Sequence, residues 1–179
     1  MRATCCLFVL ACLSASGATL EQMSLEDLAQ QSTSVVRGRA GAARTERIGP
    51  LIYTFTAFRV DETLKGEPVR HVEIALPGGT IGDLSQRFGG VPRLEPGRDY
   101  LIFLWQGPSG RTQITGLTQG LFDIEQQPDG PVASRKPSSD VLIAPGVDGP
   151  VKDELLRLPL PEMMRRIRTS LSGGGDSQP

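Results

Sequence analysis

Cysteine is confined to the first twelve residues: Cys5, Cys6 and Cys12 are the only three in a chain of 179. Histidine occurs once, at His71, and aromatic residues make up 5% of the sequence. These shortages exclude a good deal. Nucleophilic catalysis by the usual routes needs an activated thiol, or a hydroxyl with a histidine base beside it. A zinc site of ordinary type needs several nitrogen or sulfur ligands. One histidine and no cysteine beyond position 12 supply neither, so no metal and no cofactor is expected. Long apolar runs are also missing after the first residues, so no transmembrane segment is expected in the mature chain.

The opening stretch, "MRATCCLFVLACLSASGA", explains where the cysteines went. Arg2 gives a short positive region, Ala3 to Leu13 an apolar run, and Ser16 with Ala18 a small-x-small cleavage pattern. This predicts a signal peptide over 1–18 and export to the periplasm or medium. A weaker alternative takes "VLAC" as a lipoprotein box with Cys12 acylated, although the run before it is short and Leu10 fits poorly. Cleavage leaves a chain without disulfides, which must stand on burial alone. It also removes Arg2 from 19 basic residues, leaving 18 against 20 acidic ones and a formal charge of −2. A nucleic-acid partner would call for a basic surface, so none is expected.

What is present reads as strand. Ser24 and Asp27 form a near capping box, and Leu25, Leu28 and Ala29 share a face, predicting a short helix over 25–31. In "SVVRGRAGAART", Val36, Gly38, Ala40 and Ala42 alternate with arginine and glycine, which suits a strand with a small-residue face. "LIYTFTAFRVDETL" is the strongest strand signal. Its phase shifts midway, since Tyr53 and Phe55 sit on one parity and Phe58 and Val60 on the other; a β-bulge near Thr56 would reconcile them. "VRHVEIAL" alternates with Val72, Ile74 and Leu76 on one face, which leaves His71 on the solvent parity. "YLIFLW" reads as a central strand, and "TQITGL" and "GLFDIEQ" as further strands. The proline- and glycine-punctuated segment 128–159 predicts an extended arm around a domain over 19–127. Pro161 with Met164, Ile167 and Leu171 predicts a C-terminal helix over 160–172, and 173–179 a disordered tail. Arg165, Arg166 and Arg168 fall on that helix's polar side, a weak hint of a membrane-surface face.

The expected fold is therefore mainly β: a small five- to six-stranded OB-like (Greek-key) barrel with a short N-terminal and a C-terminal helix. The pieces "STSVVRGRA", "YTFTAFRVDETLKG", "VEIALPGG", "PGRDYLIFL" and "GLTQGLFDI" resemble, over roughly 24–125, a group of uncharacterised secreted bacterial proteins. Their order is similar, more weakly, to that of netrin-type and metalloproteinase-inhibitor modules, which implies a five-stranded OB-type barrel. Those modules chelate a protease's zinc through an N-terminal cysteine, which this mature chain lacks. The resemblance therefore brings a fold and no activity.

One segment invites a functional reading. "LPGGTIGDLSQRFGG" places five glycines after a strand. It is no phosphate loop, because no Lys-Ser/Thr pair ends it and no helix follows. Either it is a crossover between strands or it is a recognition loop, and long glycine-rich loops take both roles. If it binds, the candidate residues are Gly78, Gly79, Thr80, Asp83, Gln86, Arg87 and Phe88, joined by Gln119 in "LTQG". The carboxylates Asp61, Glu62, Glu73, Asp83, Glu95, Asp99 and Asp123 are scattered; glycoside hydrolysis would need two facing each other at fixed spacing. The expectation is a non-enzymatic exported binding domain whose partner is an envelope or secreted protein. The alternatives are a carboxylate-dependent hydrolase of envelope polysaccharide, or a structural envelope component.

Overall fold

The computed structural model of the protein describes residues 19–137, 141–153 and 155–173. The expected signal peptide, Cys12 and most of the expected tail lie outside the described residues. The chain is mainly β with two α-helices.

The first elements are β1 (Thr19–Glu21), α1 (Leu25–Gln31), β2 (Ser34–Ile48), β3 (Leu51–Lys65) and β4 (His71–Pro77). A small hairpin follows, β5 (Gly79–Ile81) and β6 (Leu84–Gln86). Then come β7 (Asp99–Gln106), β8 (Thr112–Ile114), a 3-10 turn (Leu117–Gly120), β9 (Leu121–Gln127) and β10 (Gly130–Arg135). The chain closes with β11 (Val141–Ile143), β12 (Pro150–Val151), β13 (Leu156–Pro159) and α2 (Leu160–Gly173).

Eight strands share one sheet in the order β13-β10-β9-β7-β2-β3-β4-β8, and β8 also pairs with β7. Five strands thus form a closed circuit, β7-β2-β3-β4-β8 and back to β7. The β4–β8 contact is parallel and the β7–β8 contact antiparallel. The sheet exceeds the five or six strands expected because β9, β10 and β13 continue it past β7. Two of those, β10 and β13, come from the segment read as an extended arm. The rest of that segment places β11 parallel to β1 in a separate three-stranded sheet.

The apolar run of β7 follows from burial on both of its faces. Leu101 and Phe103 pack with Val35, Phe122, Ala133 and the helices, while Tyr100, Ile102 and Leu104 pack with Val36, Phe58, Ile74 and Ile114 inside the circuit. Helix α1 begins with the expected capping box: Ser24 Oγ accepts from Asp27 N, and the Asp27 carboxylate accepts from Ser24 N. Its free C-terminal carbonyls are met by Lys65 Nζ, which donates to Ala29 O and Gln30 O at 2.8 Å each. Helix α2 buries Leu160, Met163, Met164 and Ile167. Its arginines form ion pairs: Arg165 with Glu162, Arg166 with Glu26 and Arg168 with Glu62. Among the described residues, no helix is long and apolar enough to cross a bilayer.

The phase shift in β3 has a different origin from the bulge expected near Thr56. β3 pairs with β4 without interruption from Tyr53↔Pro77 to Arg59↔His71. Ile52, Thr56 and Phe58 are buried on the inner parity. Tyr53 and Phe55 stand on the outer one, where arginines cover them: Arg111 lies 5.0 Å from the Tyr53 ring centre and Arg44 4.3 Å from that of Phe55. The irregularities lie in the ladder to β2: one between Ala40 and Ala43, which leaves Ala42 exposed rather than on the small-residue face, and two more at Val35/Val36 and Arg37/Gly38. At Gly38 that face has a steric reason. A Cβ there would run into the Arg59 carbonyl, so only glycine lets the two strands meet.

Candidate functional site

The glycine-rich segment lies in the crossover from β4 to β7, which are not neighbours in the sheet, and part of it is ordered as a hairpin. Gly79–Ile81 and Leu84–Gln86 pair as a tight hairpin, with Gly82 at φ +55° in the turn. The hairpin is then fastened across the end of β2 and β3. Gln86 Oε1 accepts from Ile52 N at 2.7 Å, and Gln86 Nε2 donates to Pro50 O at 2.9 Å. Gly78 N donates to Ile52 O and Thr54 Oγ1 donates to Gly78 O, both at 2.7 Å. Thr45 Oγ1 donates to Thr80 O at 3.0 Å. Gly79 has a φ of +144°, and a Cβ on it would sit 2.8 Å from both Thr45 Cγ2 and Thr54 Oγ1. Its lack of a side chain is what allows the hairpin to lie this close.

Beneath the hairpin is a pocket of about 330 Å³. The inner face of β3 supplies Thr54 and Thr56, and the end of β4 supplies Leu76 and Pro77. Gly78, Gly79, Thr80, Gln86, Arg87 and Phe88 form the roof, and Val91, Pro92, Arg93 and Leu94 the far wall. That wall is tied down where Glu95 N donates to the buried Tyr100 hydroxyl at 3.0 Å. Six of the eight residues singled out from the sequence therefore converge on one cavity.

The other two do not. Asp83 is exposed in the hairpin turn, away from the lining. Gln119 is 1% exposed and serves as a clamp: its Oε1 accepts from Met23 N at 2.8 Å and its Nε2 donates to Glu21 O at 2.9 Å. Its amide holds the N-terminal segment, and Gln119 does not join the lining of the pocket. Conversely, Thr54, Thr56, Leu76 and the Val91–Leu94 wall were not singled out. The inner parity of β3 was a usable signal for the threonines. Nothing in "VPRLEP" announces a pocket wall.

The charge of this pocket is distinctive. Arg87 and Arg93 line it, and no carboxylate does. A larger, more open groove of about 570 Å³ runs along Arg59–Thr63 and Pro68–His71, and it contains Asp61, Glu62 and the exposed His71. Asp61 pairs with Arg59 at 3.2 Å, and Glu62 with Arg168 at 2.6 Å and Arg37 at 3.4 Å. These two acids are successive residues of one strand and both are engaged by arginines, whereas glycosidase carboxylates face each other across the bond they cleave. A shallower cavity of about 220 Å³ combines Asp123 with Arg135 and Lys136. Among the described residues, no three His, Cys, Asp or Glu side chains gather as metal ligands.

Four more of the candidate carboxylates, Glu73, Glu95, Asp99 and Asp123, are tied to arginines. Arg39 holds Asp99 through two bonds of 2.8 Å, and this hydrogen bonding keeps the Asp99 carboxyl below its ordinary range. Arg98 spans Glu95 and Asp123, and Arg44 spans Glu46 and Glu73. Neither a scan against protein-family models nor a search of curated proteins finds a match for the chain.

Proposed function

We propose that the protein is an exported binding module without catalytic chemistry of its own, and that it engages its partner through the β5–β6 hairpin and the pocket beneath it. The observation that carries this reading is the joining of a rigid, glycine-permitted hairpin to an acid-free cavity. The hairpin's flanks expose large apolar side chains: Ile81 is 39%, Leu84 46% and Phe88 42% accessible. Clustered apolar exposure of this kind marks interaction surfaces, whereas single exposed residues need no explanation. The partner is an envelope or secreted protein, consistent with the signal-peptide pattern over 1–18 and the absence of disulfide-forming cysteines after it. The closed circuit of five strands, with its parallel β4–β8 contact, supports an OB-like barrel as the scaffold, whose one end the hairpin covers.

The test is capture from an envelope extract with the protein and with the double variant Ile81→Ser/Leu84→Ser. Both positions are exposed, so the melting temperature should stay within a degree or two, as surface substitutions change stability by about 0.5 kcal/mol or less. A partner retained by the parent protein should be lost from the variant. Equal retention by both refutes the hairpin as the contact surface.

A further inference from the structure

We infer that the pocket under the hairpin receives a carboxylate carried on a compact apolar body. This rests on the binding-module reading and names the chemistry that its cavity selects. The chain has slightly more acidic than basic residues, and most of its arginines are matched to acids within the fold. Arg87 and Arg93 are exceptions: among the described residues, neither guanidinium has a hydrogen-bond or ion-pair partner. Both line the same cavity, whose described lining holds no carboxylate, whereas the two other cavities each have at least one carboxylate in their lining. A planar guanidinium presents a fork of donors matched to a carboxylate, and two of them around one cavity favour an anion over any neutral ligand.

The rest of the lining fixes what the anion is attached to. Leu76, Val91, Leu94 and Phe88 offer apolar contact, and the volume of about 330 Å³ is at the small end for ligand pockets. Thr54 Oγ1 already donates to Gly78 O, Thr80 Oγ1 to Ser85 Oγ, and the Gln86 amide is bonded to Ile52 N and Pro50 O, which makes the arginines the charged polar handles of the lining. A sugar, which needs many paired polar groups, would find few partners here. A short apolar acid fits, and so does the free C-terminus of a partner's chain ending in an apolar residue, because both present the same chemistry.

The experiment is a titration of the 15N-labelled protein with hexanoate, hexan-1-ol and hexylamine, three probes that share one apolar body and differ in charge. Hexanoate should shift the amides of Gly78, Gly79, Arg87 and Leu94 at concentrations roughly tenfold or more below those needed for the alcohol or the amine. Arg87→Gln and Arg93→Gln should each weaken hexanoate roughly tenfold and together abolish its preference. Both side chains are exposed, and unchanged melting temperatures establish that the variants fold. A short peptide ending in leucine then separates the sources. Tighter binding of its free-acid form than of hexanoate assigns the site to a chain terminus, and weaker binding assigns it to a free acid. Hexanol equal to hexanoate, indifference of hexanoate to the double arginine variant, or no shift with any probe overturns the inference. Capture that fails in Ile81→Ser/Leu84→Ser but survives the double arginine variant would remove the anion and leave the binding-module reading standing.

Discussion

Gln86 holds the hairpin over the pocket, and its removal has a calculable cost. Ile52 is fully buried, and its N–H has the Gln86 amide oxygen as its acceptor at 2.7 Å. Gln86→Ala strips that acceptor, and an unsatisfied buried donor costs about 1–3 kcal/mol. The second bond, to Pro50 O, ends on an exposed turn residue, where water replaces it at little loss. The expected destabilisation is therefore about 2 kcal/mol, with a ceiling. The hairpin can lift and admit water to Ile52, so the loss cannot exceed what the remaining ties of Gly78, Thr54 and Thr45 contribute. With a urea m-value near 2 kcal/mol/M, the unfolding midpoint should fall by about 1 M.

Hydrogen exchange separates the two regimes. If the hairpin stays down, the Ile52 amide loses protection only in step with global stability. If it lifts, Ile52 exchanges faster than the core amides of β7. Gln86→Glu sharpens the test, because it keeps an oxygen for Ile52 N but turns an oxygen toward Pro50 O where a donor stood. Because it keeps the acceptor of Ile52 N, it should lose clearly less than the alanine variant at neutral pH, and it should recover the remainder below about pH 4.3, once the carboxyl carries a proton to donate. An alanine variant with an unchanged midpoint and unchanged Ile52 exchange would refute the claim that this side chain anchors the roof.

Two further expectations concern ion pairs. Arg135 and Asp153 form a buried pair at 2.9 Å, with 8% and 3% of their side chains exposed. Asp153→Ala should cost about 3–5 kcal/mol by urea unfolding, whereas Arg135→Met/Asp153→Leu should lose much less, because it leaves no stranded charge; equal losses would count against burial as the cause. Asp99 has its folded pKa below the ordinary value of 3.8 because of Arg39, so its contribution is present above that value and disappears as the pH falls through the folded one. The gap in urea midpoint between the protein and Asp99→Asn should accordingly be largest near neutrality and shrink as the pH falls below 3.8 and on through the lower folded value, and a gap constant across that range would show that the pair adds nothing.

Elements held by local chemistry were legible in the sequence. The capping box of α1 and the apolar face of α2 need only residues within a few positions of one another. The two-faced run of β7 declares double burial by itself, without revealing that helices cover one side and a circuit of strands the other. Features that depend on distant partners were misread. Tyr53 and Phe55 looked like an inward face because aromatics usually are, and the arginines shielding them come from β2 and from the loop before β8. The strands β10 and β13 hid behind Pro131 and Pro159, which an edge or sheet-end position tolerates but a local reading takes as loop.

The site divides along the same line. Glycines, an amide and an arginine in one segment do suggest a surface that meets something, and six of those residues share a cavity. Gln119 and Gln86 show the limit of that inference. Both are amides in glycine-bounded turns, and from sequence both look like ligand handles. In the fold, each amide satisfies one backbone donor and one backbone acceptor elsewhere in the chain, Gln119 away from the pocket and Gln86 within its lining, so both amides are committed to the scaffold. Arg87 and Arg93 are the opposite case, charged and, among the described residues, without partners beside a cavity whose lining holds no acid. What distinguishes a structural polar side chain from a recognition one is whether its bonds are already made, and that depends on register between strands far apart in the chain.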